Sequence, residues 1–342
     1  MIDVTELPLY WVLPIFVIAA ACIAVYGIRM THVARILAQQ TGMGEALMGA
    51  VFIGASTSLS GIVTSISAAA HGFPAMAVSN ALGGIAAQTL FLAIADLFYR
   101  KANLEHAAAS AENLMMGAFL FTLLSLLLLA MVTPQLSVFS VHPLSLILIF
   151  AYGLGVRLLA HTHTMPMWMP VRTRDTRKEP TSSSKHRRDV KPYWLKFIAY
   201  SAVVGGAGWV LSLTGMALVT QTGMSQGLVG GVFTAITTSL PELVIAITAV
   251  RAGSLTLAVG DIIGGNTFDT LFIAMADLAY RQDSIYTRIT PVEQVWLAIA
   301  LLMTGVLMMG LLFRERHGIA NIGWESFLLF VIYSCGLVYI AF

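Results

Sequence analysis

The segment GGVFTAITTSLPELVIAITA, residues 230–249, places a glutamate, two hydroxyls and a proline inside one apolar run. Glu242 follows Ser239 by three residues and Thr238 by four, which stacks all three on one helical face. Pro241 has no N–H, so the carbonyl of Thr237 loses its helical donor and the helix bends. A carboxylate, two hydroxyls and a freed carbonyl form an oxygen-rich site. Such a site suits hard cations such as sodium or calcium, not zinc or copper. A charge at the centre of a spanning helix costs about 2.5 kcal/mol or more, so it persists where it faces a cavity or a partner. The competing reading is a proline kink whose glutamate pairs with a buried base. No arginine or lysine lies at matching depth in the sequence to supply one.

The next apolar run contains GDIIGGNTFDTLF, residues 260–272. Asp269 lies deep in it and is the expected acidic partner of Glu242. Asp261 is nearer the start, where helix capping competes with an ion-pathway role. Gly264-Gly265 permits a break or a close backbone approach, and Asn266 and Thr267 add polar oxygens.

These residues need a membrane to position them. The chain has 342 residues, 58% hydrophobic and 11% charged, against about 25% charged in soluble proteins. That is too little charge to clothe a water-facing globule. Hydropathy predicts an all-α membrane protein with about ten spans: 8–29, 43–70, 74–98, 113–132, 141–160, 194–219, 226–250, 255–279, 291–313 and 320–341. The stretch VRTRDTRKEPTSSSKHRRDVK has no apolar period and reads as a basic linker. The domains expected are a first five-helix half at 1–170, a cytoplasmic linker at 171–192 and a second half at 193–342. The linker's charge reads as a solvated loop, with no nucleic-acid partner. The first run lacks a basic start and a cleavage site, so no cleaved signal peptide is expected. Lys and Arg alternate between connections in a way that puts both termini outside and the linker in the cytoplasm, with only Arg281 and Arg288 out of place. A bacterial inner membrane is the expected location. Cys22 and Cys335 both fall in apolar runs and read as packing residues.

Adding 181 to a residue number carries the first half onto the second. TGM at 41–43 becomes TGM at 222–224, TSL at 57–59 becomes TSL at 238–240, and ADLFYR at 95–100 becomes ADLAYR at 276–281. Close to half of the positions in 41–100 match without gaps. Five spans separate the copies, so they cross the membrane in opposite directions. Inverted repeats with sites near the bilayer midplane are the architecture of secondary transporters.

TSLPEL followed by GDIIGGNTFD resembles the second alpha-repeat of the calcium/cation antiporter superfamily, which includes sodium/calcium exchangers. GASTSLSGIVTS followed by SNALGGIAAQT resembles the first alpha-repeat in degraded form. The resemblance implies alternating access, with the first and sixth helices sliding over the remaining bundle and sodium or proton entry driving calcium or another cation outward. It implies a cation site at Thr238, Ser239, Glu242 and Asp269, completed by Thr57, Ser58 and Gln88. Ser60, Asn80, Asp261 and Asn266 are expected along the ion pathway. Gly61 stands where the family has its first glutamate, Ser60 where it has proline, and Gly84 and Gly265 where it usually has serine. Two ionised acids would neutralise one calcium; if they shared a proton, the site would favour a monovalent ion. Restoring a glutamate at 61 is expected to strengthen divalent binding.

Other candidates are weaker. Asp96 and Asp277 are expected to pair locally at helix ends. His161 and His163 lack further ligands for a metal. No nucleophile–base pair or zinc motif suggests an enzyme. A passive channel and a non-transporting scaffold are the rival classes. The expected partners are inorganic cations and lipid, with no cofactor, in a monomer or weak oligomer.

Overall fold

The computed structural model describes residues 7–41, 54–99, 102–134, 136–162, 170–171, 190–316 and 323–341. Among the described residues helices fall within each of the ten predicted ranges, with 43–53 of the second and 320–322 of the tenth outside them. In the first half they are α1 (Leu9–Thr41), the broken pair α2 (Gly54–Thr57) and α3 (Leu59–Ala70), then α4 (Pro74–Asp96), α5 (Leu104–Ala108), α6 (Ala111–Val132) and α7 (Pro143–Thr162). The second half runs α8 (Lys191–Thr222), α9 (Gln226–Leu228), a π-helical turn (Val229–Thr234), α10 (Ala235–Thr238), α11 (Leu240–Ala252), α12 (Leu255–Ala279), α13 (Pro291–Phe313) and α14 (Trp324–Ala341). A 3-10 turn, Ile285–Arg288, precedes α13 and matches α5 in the repeat. Among the described residues there is no β-strand, only an isolated bridge between Val138 and Val141. Most of the predicted linker falls outside the described residues.

The ends of these helices are written in the sequence. Thr290 and Glu293 form a reciprocal capping box that opens α13. Ser110 accepts from Asn113 N at the start of α6. Gly223 and Gly253 close α8 and α11 at φ 74° and 82°, a left-handed conformation that glycine adopts without strain.

Among the described residues six helices are long and apolar enough to cross a bilayer, and the bent unit Gln226–Ala252 makes seven. The surface is apolar where a soluble protein would be charged. Leu128, Phe150, Leu195, Leu312, Phe313 and Phe327 all face outward. The interior holds the polar groups, including Asp96, Glu242, Asp269, Asp277 and Glu293. That inversion suits a hydrocarbon solvent.

α4 and α12, repeat counterparts, pack against each other at the centre. α1 and α8 pack along one another outside them. Each then crosses one broken unit at a glycine. A Cβ on Gly27 of α1 would lie 2.6 Å from Pro241 Cγ, and one on Gly208 of α8 would lie 2.7 Å from the Ser60 carbonyl oxygen. These contacts are themselves related by the 181-residue offset.

Candidate ion-binding site

The two broken units bring their breaks to the middle of the bundle. Each break falls at a serine of a TSL triplet: Ser58 between α2 and α3, and Ser239 between α10 and α11. The second break bends its helix by 45°. Threonine hydroxyls turn back onto the preceding turn at both, Thr57 Oγ1 to Gly54 O at 3.0 Å and Thr238 Oγ1 to Ala235 O at 3.1 Å. Such back-bonding bends helices. Pro241 sits in the first turn of α11, where its missing N–H costs nothing. Glu242 occupies the same first turn, where the helix dipole favours a carboxylate.

One small cavity lies between the breaks. Ser58, Gly61, Asn80, Gly84, Gln88, Thr238, Ser239, Glu242, Asp269 and Phe272 line it. Ser58 Oγ donates to Asp269 Oδ1 at 2.5 Å, and Gln88 Nε2 donates to Asp269 Oδ2 at 2.7 Å. Gln88 Nε2 also reaches Ser239 Oγ at 3.2 Å. These bonds cross the repeat boundary, tying first-half polar groups to second-half ones. Glu242 Oε2 and Gln88 Oε1 are buried acceptors with no hydrogen-bond donor among the described residues. A buried acceptor left without a donor costs about 1–3 kcal/mol. No basic side chain lines the cavity.

Of the seven expected ion-binding residues, six line this cavity. The seventh, Thr57, is buried beside the Glu242 carboxyl. The four pathway residues divide. Asn80 lines the cavity, donating to Gly61 O at 3.2 Å and accepting from Thr234 Oγ1 at 2.8 Å. Ser60 Oγ donates to the Thr238 carbonyl at 3.3 Å, beside the cavity. Asn266 Nδ2 donates to Thr89 Oγ1 at 3.0 Å, away from it. Asp261 is the seventh residue of α12 and so caps nothing; it forms an ion pair with Arg35 of α1.

Three features were not anticipated. Phe272 abuts Gly61: a Cβ there would lie 2.5 Å from Phe272 Cε2. A side chain added at 61 would crowd this ring, so the gain in divalent binding expected from a glutamate there requires Phe272 to shift. Asp96 and Asp277 are cross-braces between the halves. Asp96 accepts from Leu104 N, Gly323 N and Ser326 Oγ; Asp277 accepts from Ile285 N, His142 N, Ser145 Oγ and Ser284 Oγ. Leu104, Gly323 and Ser326 become Ile285, His142 and Ser145 under the repeat relation. Third, Glu105 and Glu325 are fully buried beside each other near Asp96.

Cys22 and Cys335 are free thiols, and Cys335 is exposed on the outer surface instead of packed inside. His163 and the side chain of His161 lie outside the described residues. Among the described residues no group of three His, Cys, Asp or Glu could hold a metal ion. Any cation in this cavity would be met by two acids and otherwise neutral oxygens.

The family model for sodium/calcium exchanger proteins matches residues 11–159 and 191–342, nearly the whole chain. The chain belongs to the sodium/calcium exchanger protein family. It is an integral membrane protein and a cation antiporter, not an enzyme. Its fold is shared with the H+/Ca2+ exchanger CAX, at 12% identity and TM-score 0.70, covering 96% of this chain and 84% of that one. The sodium-calcium exchanger NCX_Mj, soaked with sodium and calcium, gives 17% identity and TM-score 0.60, with 96% and 98% covered. The same exchanger soaked with sodium and 1 mM strontium gives 18% identity and TM-score 0.60, with 99% of each chain covered. A search of curated protein sequences returns no match.

Proposed function

We propose that this exchanger carries calcium, or a divalent cation like it, in exchange for protons or sodium, with Glu242 and Asp269 as its acidic ligands. The observation that carries the reading is the pair of donorless buried acceptors, Glu242 Oε2 and Gln88 Oε1, on one cavity with Asp269. Two carboxylates without a nearby base hold a formal charge of −2. One divalent cation neutralises that charge on the loaded passage. Two protons, or sodium ions, do the same on the return. A low-dielectric path penalises any uncompensated state strongly. Thr57, Ser58, Thr238, Ser239 and Gln88 replace lost hydration with neutral oxygens.

Ten crossings, both termini outside and a cytoplasmic linker at 171–192 between halves 1–170 and 193–342 complete the reading, in a bacterial inner membrane. The side-by-side packing of α1 and α8, each touching one broken unit at a glycine, supports their movement as a pair over the rest. Their travel would expose the cavity to one side and then the other.

Calcium-loaded proteoliposomes test the assignment under separate sodium, potassium and proton gradients. Calcium efflux is expected to follow a proton or a sodium gradient and to ignore potassium. Flux indifferent to every gradient, or gradient-driven sodium–proton exchange that excludes calcium, would overturn the divalent assignment.

A further inference from the structure

The 181-residue offset pairs Gly61 with Glu242 and Phe91 with Phe272. At Gly61 the space beside the backbone is filled. An added Cβ would meet Phe272 Cε2 at 2.5 Å and Cζ at 3.0 Å. The ring cannot easily yield. Phe272 is buried and packs edge-on against Phe268 at 6.3 Å, and Phe268 packs the same way against Tyr152 at 5.9 Å. Nor can the backbone retreat freely, because Asn80 Nδ2 holds the Gly61 carbonyl. Gly84, the other glycine lining the cavity, has room. A Cβ on Gly84 would meet Ser239 Oγ at 3.7 Å and Asp269 Oδ2 at 3.9 Å, ordinary contacts. Of the two glycines that line the cavity, only Gly61 is obstructed.

We propose that Phe272 is a specificity-determining residue of the exchange site, because its ring fills the space beside Gly61, the repeat counterpart of Glu242, and so closes that position to a third carboxylate from the first half. The inference rests on the two-acid reading above and deepens it. A third carboxylate facing Glu242 would raise the formal charge from −2 to −3 and would demand a larger cationic load for each passage. With glycine at 61 and Phe272 packed beside it, the load is one divalent cation against two monovalent ones, and exchange moves no net charge. The substrate class is a single divalent cation per cycle. The phenylalanine does this by exclusion, the repulsive half of specificity.

The test compares G61E/F272A with G61Q/F272A in purified full-length protein. The two differ by one charge at constant shape. Calcium binding is measured by titration calorimetry, and calcium flux in liposomes whose potential is set by a potassium gradient and valinomycin. The wild type should be indifferent to potential. G61E/F272A should bind calcium about tenfold or more tightly than G61Q/F272A and become voltage-dependent, as expected for a close added charge in a partly buried site. Equal affinity in the two variants, with both voltage-independent, would overturn the proposal. A second comparison needs no large side chain: G61A should melt lower than G84A, and G61A tolerated as well as G84A would equally overturn it. If calcium exchange survives E242Q, the two-acid reading itself fails. If exchange still requires Glu242 while a carboxylate at 61 is inert, only the role of Phe272 fails.

Discussion

Ser58 and Ser239, 181 residues apart, hold nearly the same backbone conformation at the two helix breaks, φ −84°, ψ 2° and φ −96°, ψ 3°. Only the second is followed by a proline; Ser60 stands at the equivalent place in the first half. The break therefore does not depend on proline. The threonine before each serine bonds the carbonyl three residues back, and that shared device accompanies both breaks. Pro241→Ala should keep the break and lose about 1 kcal/mol of stability, the usual scale for proline's restriction of the unfolded chain. Thermal melting with calcium titration checks this. Abolished calcium binding in a folded variant would contradict it.

The glycine contacts of α1 and α8 predict a second result. In Gly208→Ala the new Cβ would sit 2.7 Å from the Ser60 carbonyl oxygen, a backbone atom that cannot rotate away. The helices must separate, at a cost of about 1–3 kcal/mol. Gly27→Ala meets the tip of Pro241 and should cost less. Melting temperatures should fall in that order, and calcium flux should slow in Gly208→Ala more than calcium affinity falls. Unchanged flux would argue against a tight crossing there.

Asp277 predicts a third. Its two carboxylate oxygens accept four hydrogen bonds, from Ile285 N, Ser284 Oγ, His142 N and Ser145 Oγ. Asn offers one acceptor oxygen and turns an NH2 group toward donors. Asp277→Asn should destabilise the fold by about 1–3 kcal/mol for each donor left unpaired. Calcium affinity of the folded fraction should hold, because Asp277 does not line the cavity. A wild-type melting temperature would contradict the brace.

Glu105 predicts a pH dependence. Burial, then the neighbouring Asp96 and Glu325, hold its carboxyl well above the ordinary value of 4.5. The folded protein therefore keeps this proton to higher pH than the unfolded chain does. Its stabilising contribution is complete below pH 4.5 and is lost as pH rises through the raised folded value. Glu105→Gln removes that titration, so its melting temperature should decline less steeply than the wild type's from pH 4.5 upward. Identical slopes would count against a buried, protonated Glu105.

Much of this was legible in the sequence, for identifiable reasons. Apolar runs of about 20 residues mark helices in lipid because every backbone group must pair internally. The fixed offset then aligned Thr57 with Thr238 and Gln88 with Asp269, and the fold places their neighbourhoods around one cavity. What escaped were relations of packing. Phe272 read as one more apolar helix residue. Its spacing of three from Asp269 put it on the same helical face, and that was the available signal. Arg35 and Asp261 lie 226 residues apart, and no local pattern joins them. The Asp96 and Asp277 braces were hidden because most of their donors are backbone N–H groups and serines on distant elements. Glu105 falls between two predicted spans, where no local pattern signals that tertiary packing buries it.

Glu242 is the acid on which exchange depends most in the proposed mechanism. The most direct measurement is gradient-driven calcium flux in proteoliposomes containing wild-type protein or Glu242→Gln, matched for folded protein by monodisperse elution. The variant keeps the shape and removes one of the two charges. Exchange should fall to the protein-free background. Wild-type flux from Glu242→Gln would contradict it.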